Sequence, residues 1–177
     1  VTVDGLLDEF AYLLIAVVMG GRKLKEEVQV DVGGVVCSYD LLDNSNVDAD
    51  AKIGSSVTVV GGAQDAVDAA RAAVRLQMLQ GNAINVRLVA GQIDVSNFEI
   101  QQAKLEGVSV YLGWEFQSID SESGELTGVN IVSRNDPSQE ADIYSDTLVV
   151  SASSAPSLIA IELAGSSGVL NVDQTTG

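Results

Sequence analysis

The stretch Val57-Thr58-Val59-Val60-Gly61-Gly62-Ala63-Gln64-Asp65-Ala66 decides how this 177-residue chain is read. Its first four residues are all β-branched, which predicts a strand, and two glycines then break it. From Gln64 to Leu79 the residues Ala66, Ala69, Ala70, Ala73, Val74 and Leu76 recur at helical spacing, and small side chains on that face let a helix lie close to a sheet. A glycine turn between strand and helix presents backbone N–H groups at the positive end of the helix dipole, where a pyrophosphate can bind. In the G-x-G-x-x-G/A pattern of such turns, the first glycine makes the bend and the second lets the backbone approach the pyrophosphate. The last position packs helix on sheet. Gly61 and Ala66 fill the first and last positions. Ala63 stands at the second, where its Cβ narrows the approach.

Working outward, residues 84–89 read as a second strand entered through Gly81-Asn82, and residues 98–106 as a second helix stopped by Gly107. Residues 108–112 form a third short strand. From Trp114 the period becomes two, so residues 116–119 and 126–132 predict an antiparallel hairpin, followed by a polar loop with Pro137 and a buried strand at 147–150. Upstream, the run at 11–18 is apolar without alternation, as a strand covered on both faces requires. Residues 35–42 are a strand stub or a helical turn that leads into a polar linker at 43–52. The fold class expected is α/β: a Rossmann-like parallel sheet with flanking helices and an antiparallel hairpin excursion.

Composition narrows the chemistry. Twenty-five acidic residues face 9 basic ones, with no His and a net charge of −16, so nucleic acid and anionic membranes are poor partners. Cys37 is the single cysteine, which excludes an intrachain disulfide and a cysteine metal cluster. Without His, the usual zinc and non-haem iron sites are excluded, as are the Ser-His-Asp and Cys-His nucleophile pairs. No metal ligand and no catalytic residue is assigned. The longest apolar run, 11–19, falls far short of the ~20 residues of a membrane-spanning helix. It follows acidic residues rather than a basic segment, so a cytoplasmic chain is expected.

The second ligand determinant lies at the end of the second strand. An acidic residue there holds a ribose hydroxyl of NAD, and a basic pair would hold the extra phosphate of NADP. The chain has Ala90-Gly91-Gln92, with Asp94 just beyond, so Gln92 is the polar side chain in reach of a ribose.

Residues 57–76 resemble the corresponding segment of the glutamate synthase small subunit and related pyridine-nucleotide-dependent flavoproteins, including the dihydropyrimidine dehydrogenase group. Asp68-Ala69-Ala70-Arg71 is the most specific piece. Flanking likenesses extend over nearly the whole chain: 10–20, 34–42, 99–108, 146–156 and 172–177. The resemblance implies an NADPH (or NADH) domain inserted into an FAD domain, with hydride passing to FAD and onward to an iron–sulfur or amidotransferase partner subunit. FAD itself would belong to a longer parent protein, and the chain alone is not expected to be active. It implies the boundaries 1–52 for a returning piece of the FAD domain and linker, 53–150 for the nucleotide domain, and 151–177 for the return toward the FAD domain. It also implies cofactor-binding positions at Gly61, Gly62, Ala63, Gln64, Asp65, Ala66, Gln92, Ser151 and Ser153. The chain departs from the family at Ala63, Gln64, Asp65 and Gly91-Gln92. Those departures carry the alternative, a degenerate Rossmann domain that no longer binds dinucleotide and serves as a structural or protein-interaction module.

Overall fold

The computed structural model describes residues 32–47 and 53–151; the expected strand at 11–18 lies outside them. The order of elements is β1 (Val35–Cys37), α1 (Ser38–Val47), β2 (Val57–Val60), α2 (Gln64–Leu79), β3 (Val86–Ala90), α3 (Asn97–Glu106) and β4 (Ser109–Leu112). Then follow β5 (Trp114–Glu122), β6 (Glu125–Ser133), β7 (Glu140–Tyr144) and β8 (Thr147–Val150). A five-stranded sheet, ordered β1-β8-β2-β3-β4, is parallel throughout, and β5-β6-β7 form a separate antiparallel sheet.

Side-chain alternation explains why the central strands are apolar without a break. Val57 and Val59 of β2, Val86 and Leu88 of β3, and Val149 of β8 face a core shared with Leu41, Val67, Ala70, Ala73, Ile100 and Ala103 of the helices. Their neighbours Val60, Val89, Leu148 and Val150 face a second core built with Ile119, Leu126, Val129, Ile131 and Ile143 of the small sheet. The parallel sheet is therefore the middle of three layers, helices on one side and the antiparallel sheet on the other. Complete burial of Leu88 and Leu148 contributes roughly 1.5–3 kcal/mol each.

The helix α2 packs beside α1 and α3 as well as on the sheet, so its buried stripe is wide. Ala66, Ala69, Ala70 and Ala73 are all fully buried there, the small face that the sequence predicts. The helix α3 opens on a capping box, Ser96 accepting from the Glu99 amide while the Glu99 carboxylate accepts from the Ser96 amide. It closes at Gly107 with a left-handed φ of 109°.

Two segments differ from expectation. The expected linker at 43–52 is helical as far as Val47, because Leu41 and Leu42 pack on the helix-side core and override the weak helix propensity of Asn44 and Ser45. The polar loop after β6 is short, and Glu140–Tyr144 returns as β7. Asp136 makes this turn, accepting from the Ser138 amide and hydroxyl and from the Gln139 side chain.

At the amino ends of the strands, Asp146 ties the β7–β8 turn to the entry of β2. Its carboxylate accepts from the Ser55 amide (2.9 Å) and hydroxyl (2.7 Å), the Ser56 amide (3.1 Å) and the Thr147 hydroxyl (3.2 Å). Burial pushes this carboxyl up, but the bonds from Ser55 and Ser56 pull it below its ordinary value on balance. A depressed carboxyl contributes stability above its unfolded pKa, about 4, and that stability is lost as pH falls through the lower folded value. Asp146→Asn should therefore cost about 1 kcal/mol at pH 7, the low end for bonds to a partly solvated charge. The variant should also lose less stability than the parent on acidification from pH 5 to pH 2. Urea midpoints across that range check it, and parallel acid limbs for the two proteins would count against it.

Among the described residues, no helix is long and apolar enough to cross a membrane.

Candidate functional site: the glycine turn at the end of β2

Chain connections leave β2 through α2 toward β3, whereas β8 and β1 lie on the other side of β2. The glycine turn therefore stands at the carboxyl ends of the central parallel strands β2, β8 and β3, the end of an open α/β sheet whose crevice binds ligands. Gly61 follows β2 there with φ 143°, and its amide donates to the Val89 carbonyl. Ala63 is the N-cap of α2, in extended conformation, and its side chain offers no acceptor to the first helical amides. Gly62 permits a close approach. A Cβ on it would stand 1.8 Å from the Gln92 carbonyl oxygen, and its own carbonyl accepts from the Asp94 amide at 2.8 Å. The loop after β3 thus lies directly against the turn.

The first turn of α2 carries a buried carboxylate. Asp65 is 8% exposed and faces inward, where Ser38 Oγ donates to it at 2.7 Å and Ser151 Oγ donates to both its oxygens at 2.9 Å. Ser38 opens α1 just past β1, and Ser151 follows β8 with its amide donating to the Val60 carbonyl. One carboxylate therefore joins the carboxyl ends of β1, β2 and β8. A negative group at this end of a helix is favoured by the dipole, and Asp65 takes up that favour from within the chain.

The rim beyond β3 is polar and exposed. A Cβ on Gly91 would stand 2.7 Å from Glu115 Oε1, so the Glu115 side chain, arriving from β5, occupies the space over Gly91. Arg134, from the turn after β6, has Nε 3.6 Å from Glu115 Oε1 and donates from Nη1 to Gln92 Oε1 at 3.4 Å. Its amide donates to the Gly113 carbonyl, and the Gly113 amide donates to the Ala90 carbonyl, so backbone bonds hold this corner to the end of β3.

Of the positions marked in the sequence, Gly61, Gly62, Ala63, Gln64, Asp65 and Ala66 share the turn, with Gln92 beside it and Ser151 across the crevice. Ser153 lies outside the described residues. Gln64 is exposed and donates along the helix to Asp68 at 3.2 Å. Ala66 is fully buried against the sheet side. Arg71 turns away from the crevice. Its Nε donates to both Glu106 oxygens at 3.0 and 2.9 Å, and a further bond from Nη2 completes the pair between α2 and α3. That bonding raises Arg71 and lowers Glu106 from their ordinary values. Ser38, Glu115 and Arg134 are additions to the site. No local pattern marks them, since the bonds to Asp65 and Gln92 span 27 and 42 residues.

No family model matches the sequence, and no curated protein matches it. Solved structures do. The thioredoxin reductase of T. acidophilum superposes with a TM-score of 0.52 at 18% identity over 71% of this chain and 37% of that one. Those of Giardia duodenalis (TM-score 0.49, 20% identity, 71% and 37% covered) and Streptococcus pyogenes MGAS5005 (0.45, 19%, 55% and 30%) are also similar. The chain spans about a third of the length of these proteins. In fold it is thus similar to part of a thioredoxin reductase, an α/β, Rossmann-like arrangement of parallel sheet, helices and a separate antiparallel sheet.

Proposed function

We propose that the chain is the nicotinamide-dinucleotide domain of a flavin-dependent oxidoreductase similar to the glutamate synthase small subunit. The observation that carries this reading is the placement of Gly61–Ala66 between a central parallel strand and a helix N-terminus at the carboxyl end of the sheet, with an N-cap that supplies no side-chain acceptor. The residues fit such a cofactor in part. The backbone of Gly61 and Gly62 and the amide end of α2 would hold a pyrophosphate, and the rim past β3 would hold the adenosine ribose. The bound nicotinamide would supply hydride chemistry; the chain's own part is to bind and orient it. FAD, and an iron–sulfur or amidotransferase partner, belong in this reading to the longer parent protein, which is cytoplasmic. In this reading residues 53–150 make up the nucleotide domain, to whose sheet and core β1 and α1 also contribute, and 1–52 and 151–177 lead from and to the FAD domain.

Asp65 favours the second reading, a domain that keeps the fold as a structural module. Its buried carboxylate, in the first turn of α2, already supplies the negative charge that the helix N-terminus would offer a ligand phosphate. Calorimetric titration of the chain with NADH and NADPH decides between them. Removing the charge while keeping shape, Asp65→Asn, should raise dinucleotide affinity by roughly tenfold, about the worth of one charge at a partly buried helix N-terminus. Binding by neither the parent nor Asp65→Asn at millimolar dinucleotide would leave only the structural module.

A further inference from the structure

We infer that Glu115 supplies the carboxylate that a dinucleotide turn ordinarily takes from the end of its second strand, and that the ligand is accordingly NADH rather than NADPH. The inference rests on the dinucleotide reading of the Gly61–Ala66 turn and adds which of the two cofactors that turn accepts.

The position in question is Gly91, the first residue after β3, which has no side chain of its own to offer. The space its side chain would fill is taken by Glu115. An ideal Cβ on Gly91 falls 2.7 Å from both Glu115 Cγ and Oε1 and 3.2 Å from Cδ. A side chain from β5 therefore puts a carboxylate over residue 91, where the fingerprint expects one from residue 91 or its neighbour. The loop that carries Gly91 is fastened to the glycine turn by the Asp94–Gly62 bond and by the contact of Gln92 on Gly62, so the carboxylate and the turn belong to one site.

The rest of the rim agrees. The side chains of Glu115 and Arg134 are 51% and 49% exposed, open to a ligand. Arg134 is the cation at this corner, and its guanidinium faces Glu115 and Gln92. It steadies the carboxylate as a positioning residue, leaving oxygen lone pairs to accept from the 2′ and 3′ hydroxyls of a ribose. A 2′-phosphate would instead meet the negative charge of Glu115, with that of Asp94 in the same loop, and would have to draw Arg134 away from its partner. Opposed charges at one subsite select against the wrong ligand as firmly as contacts select the right one.

Calorimetric titrations with NADH and NADPH, on the parent chain and on Glu115→Gln and Arg134→Gln, test the assignment. The parent should bind NADH at least tenfold more tightly than NADPH. Glu115→Gln should weaken NADH by roughly tenfold, the low end for a hydrogen bond to a charged acceptor, while leaving NADPH unchanged or tighter. Arg134→Gln, which frees the carboxylate from its positioning partner and removes the charge that would attract a 2′-phosphate, should weaken NADH by a few-fold and NADPH by more, widening the preference for NADH. An NADH-to-NADPH ratio that neither substitution moves, or a parent that prefers NADPH, overturns the role of Glu115 while the dinucleotide reading stands. Binding of neither cofactor, by the parent or by Asp65→Asn, overturns both. Unchanged far-ultraviolet circular dichroism and urea midpoints keep a folding defect from imitating the result, and Arg134→Gln carries the test if Glu115→Gln fails to fold.

Discussion

Gly62→Ala is expected to lower stability by about 3 kcal/mol and to weaken dinucleotide binding by more than tenfold. The added Cβ would stand 1.8 Å from the Gln92 carbonyl oxygen and 2.9 Å from its carbon, with Ile93 Cα at 3.3 Å. These are backbone atoms, so no side-chain rotation relieves the clash, and the loop after β3 must lift from the turn. Lifting it breaks the Asp94–Gly62 bond and carries away the rim that Gly91 and Gln92 anchor. Stability and the ribose subsite are lost by one movement, which is why both effects are large. Ala63→Gly is the informative comparison, since it removes a Cβ one residue on and should leave the loop where it is. Urea unfolding monitored by Trp114 fluorescence measures the first effect. A Gly62→Ala midpoint equal to the parent's would mean that the loop and turn are not in contact.

Gln77→Leu should cost roughly 2–4 kcal/mol, although leucine is similar in size and more apolar than glutamine. Gln77 is fully buried in the last turn of α2, where its Nε2 donates to the Gly54 carbonyl at 2.9 Å and its Oε1 accepts from the Asn85 amide at 2.8 Å. One amide group thus satisfies the chain just before β2 and just before β3, and leucine would orphan both backbone groups. Each costs about 1–3 kcal/mol when buried, and the partial exposure of Gly54 and Asn85 lets water recover some of it. A thermal midpoint lower by roughly 5–15 °C is expected for a domain of this size. Met78→Gln, at the 62%-exposed neighbour, should change stability by less than about 0.5 kcal/mol. If the two variants melt alike, the bridging role of Gln77 is wrong.

These cases also show which parts of the molecule were legible in the chain. The helix bounded by Gln64 and Leu79 and the strands Val57–Val60 and Thr147–Val150 fall where local patterning puts them, the helix because its small buried residues recur at helical spacing and the strands because layers cover both their faces. The pattern there is strong and local. The strand Glu140–Tyr144 is an edge strand of the small sheet, with Ile143 its buried side chain and acidic residues at Glu140 and Asp142. Edge strands tolerate such charges, and that made it read as a loop. The helical form of residues 38–47 rests on tertiary packing of Leu41 against the core rather than on propensity.

The site divides the same way. The backbone geometry of Gly61, Gly62, Ala63 and Ala66 follows from their spacing. The partners of Asp65 do not, because Ser38 and Ser151 are 27 and 86 residues away and meet only when the carboxyl ends of three strands come together. Read alone, Asp65 is a carboxylate set against a ligand's phosphates; in the fold it is a buried tie whose charge has two hydroxyl donors. Gly91 presents the converse. Its missing side chain looks like a missing ligand determinant, yet the space is filled by Glu115 from another layer.

The central claim, that the turn at the end of β2 binds a dinucleotide, is tested most directly by amide spectra of the ¹⁵N-labelled chain during addition of NADH. The account predicts saturable shifts centred on Gly61, Gly62, Gln64 and Asp65, extending to Gln92 and Glu115. Amides of the small sheet away from the crevice, such as Asn130 and Tyr144, should stay unmoved. Spectra unchanged at millimolar NADH in both the parent and Asp65→Asn, or shifts that leave the turn untouched, would contradict it.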